Sequence, residues 1–586
     1  MVERVEGTMT KSPCPKLWLC LGVLTAGVGI ALPTGALMGW LRSSSFGELP
    51  PTLVNQLMNG GTLFKIGCFL LGLFLIGVSR LDIWESEDQE GQQNAQTDGP
   101  SFAWMILALV GCAIALRLYE LGSGLWYDEI VTYVKYVKMP MGDLLTTYDS
   151  ENQHFLFSVL AHLCFLLFGD HVWAIRLPAV VFGVGSIWAV YALGGQVGSE
   201  KEGILAAAFL TFSYHHIWFS QNARGYSGLL FWTLLSSWIF LRALQDYKAQ
   251  RWMLYAAAVA LGMYTHATML FVVIGHFFVF VFKVFRHPIE TWSKHWIGFV
   301  LGFVLSGLLT FQLYSLVIPQ LLDTMGMTTS VRDWNSPLWT LLEIVKGLKI
   351  GFLIGIVVLV GGGTIIAMGL WSFFKETPAF VGMMLIPGIL GPALVLSSGH
   401  PLWPRFFFFL AGFAVLTLIR GFMIFGSHLG NMLSLKHQKL QSVGMVLCLL
   451  TISLSAISVA WAYGPKQDFG GALAFVEKNC GPTDAVVSVG LATFIYQKLY
   501  GKKWGKADTI QELNAIRSQN KRTWVVYTMP LHLESYFPEI LTSIESEFEQ
   551  VKIFPGTLGG GAVFVSRSSS VFPTESAYAE RNHSLK

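Results

Sequence analysis

The segment Gly124-Leu125-Trp126-Tyr127-Asp128-Glu129-Ile130 sets two carboxylates side by side, directly after an apolar stretch that ends near Leu121. A carboxylate at a membrane face can take the proton of an attacking hydroxyl or amine, or orient a bound group; an aqueous loop can also carry acids without such a duty. Neighbouring side chains point about 100° apart on a helix and to opposite faces of a strand, so Asp128 and Glu129 are poorly placed to share one proton as a dyad. Separate roles are expected, one as base and the other as an orienting or binding group. Two arginines stand at the ends of other apolar stretches: Arg224 in Ser220-Gln221-Asn222-Ala223-Arg224-Gly225-Tyr226, and Arg405 in His400-Pro401-Leu402-Trp403-Pro404-Arg405. A guanidinium there offers a planar fork of donors to phosphate oxygens, makes an internal ion pair, or reaches out to the headgroup layer.

His154, His215-His216 and His266 also fall at breaks between apolar stretches, where a histidine is more often a hydrogen-bonded packing residue than a ligand. There is no HExxH, no Cys/His cluster with metal-ligand spacing, and no CxxC among the seven cysteines. No cofactor is implied; a divalent metal at Asp128 and Glu129 stays open, although no further ligand set accompanies them. Gly361-Gly362-Gly363 follows no soluble strand, so it is expected to permit close helix contact rather than to cradle phosphate.

The elements that carry these residues must be mostly membrane helices. Of the 586 residues 53% are hydrophobic and only 13% charged, and stretches of about 20 apolar residues, enough to cross the hydrocarbon core, recur from Leu17 to Tyr463. Hydropathy places spans near 17–40, 63–79, 102–121, 171–195, 203–219, 226–243, 252–266, 268–285, 297–318, 350–371, 380–397, 406–423 and 442–463, about thirteen in all. The first is read as a retained span, being too long for a signal peptide and lacking a small-residue cleavage site. Arg242, Lys248, Arg251, Lys283, Arg286, Lys294, Arg420, Lys436 and Lys439 fall on one side with Arg4, Lys11 and Lys16, the side expected to be cytoplasmic. The net charge of +3 is spread over many loops, which excludes a nucleic-acid binder.

Four segments follow from the composition: two N-terminal transmembrane helices in 1–80, an acidic flexible cytoplasmic linker in 81–101, a membrane core in 102–463, and an extracytoplasmic α/β domain in 464–586. In the last, helices are expected near Ala472–Asn479 and Ile510–Gln519, strands at Ala485–Val489 and Thr523–Tyr527, and a hairpin through Val551–Val565.

Taken in order, Trp126-Tyr127-Asp128-Glu129, Asn152-Gln153-His154-Phe155, Phe168-Gly169-Asp170 with Trp173-Ala174-Ile175-Arg176-Leu177-Pro178-Ala179, and Ser220-Gln221-Asn222-Ala223-Arg224-Gly225-Tyr226 resemble the pattern of GT-C glycosyltransferases. The branch most similar is that of the protein O-mannosyltransferases and the lipid A aminoarabinose transferase, over roughly residues 102–465. The resemblance implies an all-α polytopic membrane protein of the GT-C type with a small C-terminal α/β domain. It implies a sugar donor on a polyprenyl phosphate, an active site at the extracytoplasmic membrane face and an inverting transfer. Asp128 then matches the base or acceptor-positioning aspartate, with Glu129 beside it as the second catalytic acid. Arg224 and Arg405 match positions near the donor phosphate, and Tyr127, His154, Gln221, Tyr226 and His266 are carried as substrate-binding candidates. Asn222 stands where other members often have Glu, so an acidic contribution there is absent. The partners implied are the polyprenyl-phosphate sugar, membrane lipids and an acceptor that is lipid, glycan or protein; the branch points to a bacterial inner membrane.

Two other readings fit a polytopic chain. A transporter or flippase of envelope glycolipids would carry ionisable or helix-breaking residues near the midplane of its spans, often in matched halves; His266 is the best candidate, while the acids cluster in loops. A non-catalytic envelope-assembly subunit would have no use for the Asp128–Glu129 pair.

Overall fold

The computed structural model describes residues 15–42, 49–81, 102–286, 292–324, 352–399, 402–432 and 437–568. The linker expected at 81–101 lies, apart from Leu81, outside the described residues, as do His400, Pro401 and Lys436.

The chain is an integral membrane protein built almost wholly of helices: α1 (Pro15–Ala31), α2 (Thr34–Leu41), α3 (Pro51–Ser79), α4 (Ala103–Leu118), α5 (Tyr127–Thr132), α6 (Met141–Leu145), α7 (Phe155–Phe168), α8 (Val172–Val197), α9 (Glu200–Thr211), α10 (Tyr214–Ser220), α11 (Tyr226–Asp246), α12 (Ala249–Thr265) and α13 (Met269–Arg286). After these come α14 (Trp292–Gly298), α15 (Leu305–Tyr314), α16 (Ile318–Thr324), α17 (Phe352–Glu376), α18 (Pro378–Ser397), α19 (Ala411–Met432) and α20 (His437–Ser458). The long ones are apolar on every face, as helices must be when one side meets protein and the other lipid. α8 and α11 form the centre, with 61% and 67% of their spans buried, whereas 22% of Ser442–Tyr463 is buried, so that helix lies against lipid.

Among the described residues eight helices are long and apolar enough to cross a bilayer, or nine if α1 and α2 count as one bent span, against about thirteen read from hydropathy. Part of the difference lies in breaks that a hydropathy window averages away, and part in helix length. The 203–219 stretch is two short helices, because Ser213 ends α9 and caps α10 by accepting from the His216 backbone N–H at 3.4 Å. The 17–40 stretch turns by 95° between α1 and α2, next to Pro33. α4 and α12 are apolar but short, with 16 and 17 residues. The expected close contact at Gly361–Gly363 is not found among the described residues, where a Cβ on any of the three would meet nothing within 4 Å.

The N-terminal helices are fastened to the bundle and to the loop that follows the acidic pair. α3 packs on α1, α15 and α16. At the end of α2, buried Arg42 donates from Nε to the Thr146 hydroxyl (2.8 Å) and from Nη2 to the Thr146 carbonyl (3.3 Å), with Nε 3.6 Å from the Asp143 carboxylate. Gln320 of α16 grips the same loop, donating to the Thr146 carbonyl and accepting from the Tyr148 N–H, both at 2.8 Å.

Beyond Tyr463 the chain leaves the bundle. Helix α21 (Phe469–Asn479) precedes a five-stranded sheet of β1 (Asp484–Val489), β2 (Gly505–Ala507), β3 (Arg522–Thr528), β4 (Phe548–Phe554) and β5 (Val563–Ser568), in the order β2-β1-β3-β5-β4. β1 pairs in parallel with β2 and β3; β5 pairs antiparallel with β3 and β4. The expected strands and hairpin are present, while the three-residue β2 is too short to leave a period in the sequence. One face of this unit, through Phe469, Ala472, Tyr496 and Trp524, packs on Leu125 and Ile130 at the acidic pair.

The close approach of α2 and α6 gives a test. A Cβ on Gly142 would lie 1.8 Å from the Leu41 carbonyl oxygen, and one on Gly122 would meet nothing within 4 Å. Gly142→Val is expected to cost about 1–3 kcal/mol, read as a lowered Tm of the detergent-solubilised protein, with Gly122→Val as the comparison near zero.

Candidate active site

Helix α5 divides the acidic pair. Glu129 is fully buried and engaged through both oxygens: Arg176 of α8 donates from Nε to Oε1 (2.8 Å) and from Nη2 to Oε2 (2.7 Å). The Ala223 N–H adds a bond to Oε1 at 2.6 Å, and the Trp126 N–H reaches Oε2 at 3.3 Å, so Glu129 also caps the start of its own helix. Arg176 spends its remaining donors on the carbonyls of Leu121 (2.9 Å), Ser123 (2.9 Å) and Gly124 (3.0 Å), which fixes the turn leading into α5. Burial alone would push the Glu129 carboxyl up; Arg176, helped by Lys466 and the Ala223 amide, holds it below the usual carboxylate range. Lys466 comes from the junction between bundle and sheet, donates to the Gln221 carbonyl at 2.8 Å, and lies over the Trp218 ring. Burial brings its pKa down to about 7 against the opposing pull of Glu129.

Asp128 faces the other way. Its Oδ2 lies 3.5 Å from Arg405 Nη1 and 4.0 Å from Arg224 Nη2, beyond the 2.7–2.9 Å of a tight charge-assisted bond, and has no hydrogen-bond partner among the described residues. Arg224 is tied by Nη1 to the Asn152 carbonyl (2.6 Å) and the Thr132 hydroxyl (3.2 Å), and Asn152 returns a bond from Nδ2 to the Asp128 carbonyl at 3.2 Å. Arg405 stands over the Trp403 and Trp126 rings at 4.6 and 5.7 Å. The Nε atoms of Arg224 and Arg405 are buried without a partner among the described residues. The carboxylate and two guanidiniums therefore make an incomplete network with donor capacity to spare.

Next to this network opens a cavity of about 1010 Å³. Glu151, Gln153, His154, Tyr226 and His266 are among its polar lining, with hydroxyl side chains such as Thr268, Ser306 and Tyr314, and most of the remaining surface is apolar side chains of α12, α13, α15 and α18. His154 stacks on His266 with ring centroids 4.7 Å apart, and Tyr226 lies 5.6 and 5.2 Å from the two. Burial pushes His154 well below its ordinary pKa and His266 down to about 3, with the positive Arg224 adding to both.

Of the residues singled out in the sequence, His154, Tyr226 and His266 line the cavity, and Asp128, Arg224 and Arg405 form the charged network beside it. Glu129 is set behind it, occupied by Arg176. Gln221 spends its amide on the Arg117 and Tyr119 carbonyls, and Tyr127 packs on the sheet unit while its backbone N–H donates to Gln467 at 2.9 Å. Asn222 accepts from the Trp126 indole at 2.9 Å. Arg176, Lys466, Asn152 and Glu151 were not assigned as site residues from sequence. The available signal was strongest for Arg176, a cation inside the apolar run Val172–Val197 that needs a buried partner. No group of three or more His, Cys, Asp or Glu that could hold a metal occurs among the described residues. With both Glu129 oxygens taken by Arg176 and backbone amides, the pair does not fit a metal shared with Asp128.

Residues 153–311 match the family model described as dolichyl-phosphate-mannose-protein mannosyltransferase. The match covers His154, Arg176, Arg224, Tyr226 and His266. It bears out the resemblance to GT-C glycosyltransferases and the class of enzyme it implies: the molecule is a membrane glycosyltransferase. No curated protein sequence matches the chain. Among solved structures it is similar to the oligosaccharyltransferase AglB of Archaeoglobus fulgidus, in complex with an inhibitory peptide and a dolichol-phosphate. That likeness has 12% identity and a TM-score of 0.47, and covers 81% of this chain and 76% of that one. It is also similar to ArnT of Cupriavidus metallidurans bound to undecaprenyl phosphate, with 13% identity, a TM-score of 0.43, and coverage of 81% of this chain and 100% of that one.

Two outcomes test the clamp behind the site. Glu129→Ala leaves Arg176 buried without its countercharge and is expected to cost about 3–5 kcal/mol of stability, read as thermal unfolding. Lys466 keeps its proton to about 10.5 when unfolded but to about 7 when folded. Folding then releases a proton between these pH values, so the Lys466 contribution to stability grows as pH rises through that window. The Tm difference between wild type and Lys466→Met should accordingly move in favour of wild type from pH 7 to pH 10 and stay flat below pH 7.

Proposed function

We propose that this glycosyltransferase moves a sugar from a polyprenyl-phosphate donor to an acceptor at the extracytoplasmic membrane face, with inversion. One observation carries the reading: Asp128 lies between Arg224 and Arg405 beside a large, mostly apolar cavity whose polar lining includes Glu151, Gln153, His154, Tyr226 and His266. The apolar part suits a polyprenyl chain, and the arginines suit the phosphate that ends it.

The chemistry balances with these groups alone. The acceptor hydroxyl or amine attacks the anomeric carbon, the carbon–oxygen bond to phosphate breaks, and polyprenyl phosphate departs with the bonding electrons. Asp128 takes the acceptor's proton. A phosphate monoester is a stable anion and leaves without being protonated, so cationic stabilisation counts for more than a second acid. Arg224 and Arg405, only loosely engaged by Asp128, have donors free for that phosphate. Glu129 acts as a positioning residue, fixing α5 so that Asp128 is set against Arg224 and Arg405. A single displacement from the face opposite the phosphate gives inversion.

The direction of the helices supports the side. α11 and α13 begin at the site, at Tyr226 and Met269, and end in the basic groups Arg242, Lys283 and Arg286 at the opposite end of the bundle. By the positive-inside rule that end faces the cytoplasm, which leaves the site and sheet unit outside, in a bacterial plasma membrane.

The test is release of free polyprenyl phosphate from a panel of polyprenyl-phosphate sugars by purified protein supplied with an acceptor extract. Asp128→Asn should lower kcat by about 10²–10⁴ while retaining the wild-type Tm, and Arg224→Ala and Arg405→Ala should each lower kcat/KM for the donor. Asp128→Asn working at the wild-type rate, or no release from any donor by folded wild type, would refute the reading.

A further inference from the structure

The hydrogen bonds of His266 fix which of its nitrogens carries the proton. Nδ1 lies 3.2 Å from the backbone nitrogen of Thr268 and 2.9 Å from its hydroxyl. A backbone N–H only donates, so Nδ1 must accept, and a neutral imidazole that accepts at Nδ1 bears its hydrogen on Nε2. Burial and the nearby guanidiniums of Arg224 and Arg405 keep the ring neutral. Nε2 is itself buried and has no partner among the described residues, in a ring that lines the cavity. It is a donor held in place, and a buried donor needs an acceptor.

The neighbouring ring has the opposite polarity. His154 is hydrogen-bonded to the Thr265 carbonyl, and its Nε2 has no partner among the described residues, so Nδ1 carries the hydrogen and Nε2 is a bare acceptor. The stacked pair thus offers the cavity one donor, from His266, and one acceptor, from His154. A phosphate oxygen can be met only by the donor.

We propose that His266 donates from Nε2–H to a phosphate oxygen of the lipid-phosphate donor, as a third and uncharged ligand beside Arg224 and Arg405. This rests on the polyprenyl-phosphate reading above. An uncharged donor adds a directed bond without crowding a third cation against two guanidiniums, and its fixed tautomer favours an acceptor-only group over a hydroxyl that could present either polarity.

The experiment measures binding of polyprenyl phosphate, and of the uncharged polyprenol of equal chain length, to purified full-length protein by ligand-induced thermal stabilisation. His266→Phe keeps an aromatic ring for the stack and loses the donor; His266→Gln restores an N–H at a similar reach; His266→Glu replaces that N–H by an acceptor. We expect His266→Phe and His266→Glu to weaken polyprenyl phosphate binding about tenfold or more, His266→Gln to stay within about threefold of wild type, and polyprenol binding to change in none. Should His266→Phe fail to fold, the isosteric Gln and Glu variants decide the question. Wild-type affinity in His266→Phe, equal losses in the Gln and Glu variants, or equal losses for phosphate and polyprenol would overturn the role of His266 alone. Failure of the wild-type protein to bind polyprenyl phosphate at all would overturn the lipid-phosphate reading with it.

Discussion

The ion pair of Glu129 and Arg176 is the interaction on which the site is built. Two opposite charges withdrawn from water are tolerated only when every donor and acceptor is met, and here both carboxylate oxygens and all three guanidinium nitrogens have partners. The pair joins α5, α8, the turn after α4 and the break before α11 at one point. Lys466 adds a second cation from the start of the sheet unit. Because Glu129 is consumed in this way, its neighbour, about 100° round the helix, turns to the other side, toward Arg224 and Arg405.

Asp128 has a different electrostatic character. Its arginines stand at 3.5 and 4.0 Å, and several polar atoms near it lack partners among the described residues: Arg224 Nε, Arg405 Nε, His154 Nε2 and His266 Nε2. A saturated network behind and an unsaturated one in front is the arrangement expected of a binding site whose anionic ligand completes the hydrogen bonds, since unmet buried polar groups are otherwise uncommon.

Two peripheral units converge on the same loop. The N-terminal helices hold residues 142–147 through Arg42, and the sheet unit covers α5 through Phe469, Tyr496 and Trp524 and bonds the Tyr127 amide through Gln467. Between these grips lie α5 and the Asn152–His154 break, the pieces of chain that meet Arg224 and the cavity. Loops that carry chemistry need such support, because their own hydrogen bonds fix them less firmly than those of a helix.

By itself the sequence determined that the chain lives in lipid, that its acids cluster between the apolar stretches, and that the motifs from Trp126 to Tyr226 resemble a glycosyltransferase. These properties are local: hydropathy over about 20 residues and short runs of residue types survive without knowledge of the fold. It also placed the principal strands of the sheet, whose apolar runs are long enough to show a period. Tertiary structure decided the rest. Nothing in the spelling of Asp128-Glu129 says which acid is held in a saturated ion pair, because that depends on Arg176, 47 residues away, and on an amide at Ala223. Gln221 and Tyr226 stand in one motif, yet one closes the end of α4 and the other lines the cavity, since a turn between them sends their side chains to different neighbours. Lys466 reaches Gln221 across 245 residues. Hydropathy overran the breaks at Pro33 and Ser213 for the same reason: a window averages composition, while helix ends are set by single caps and by packing partners distant in the chain.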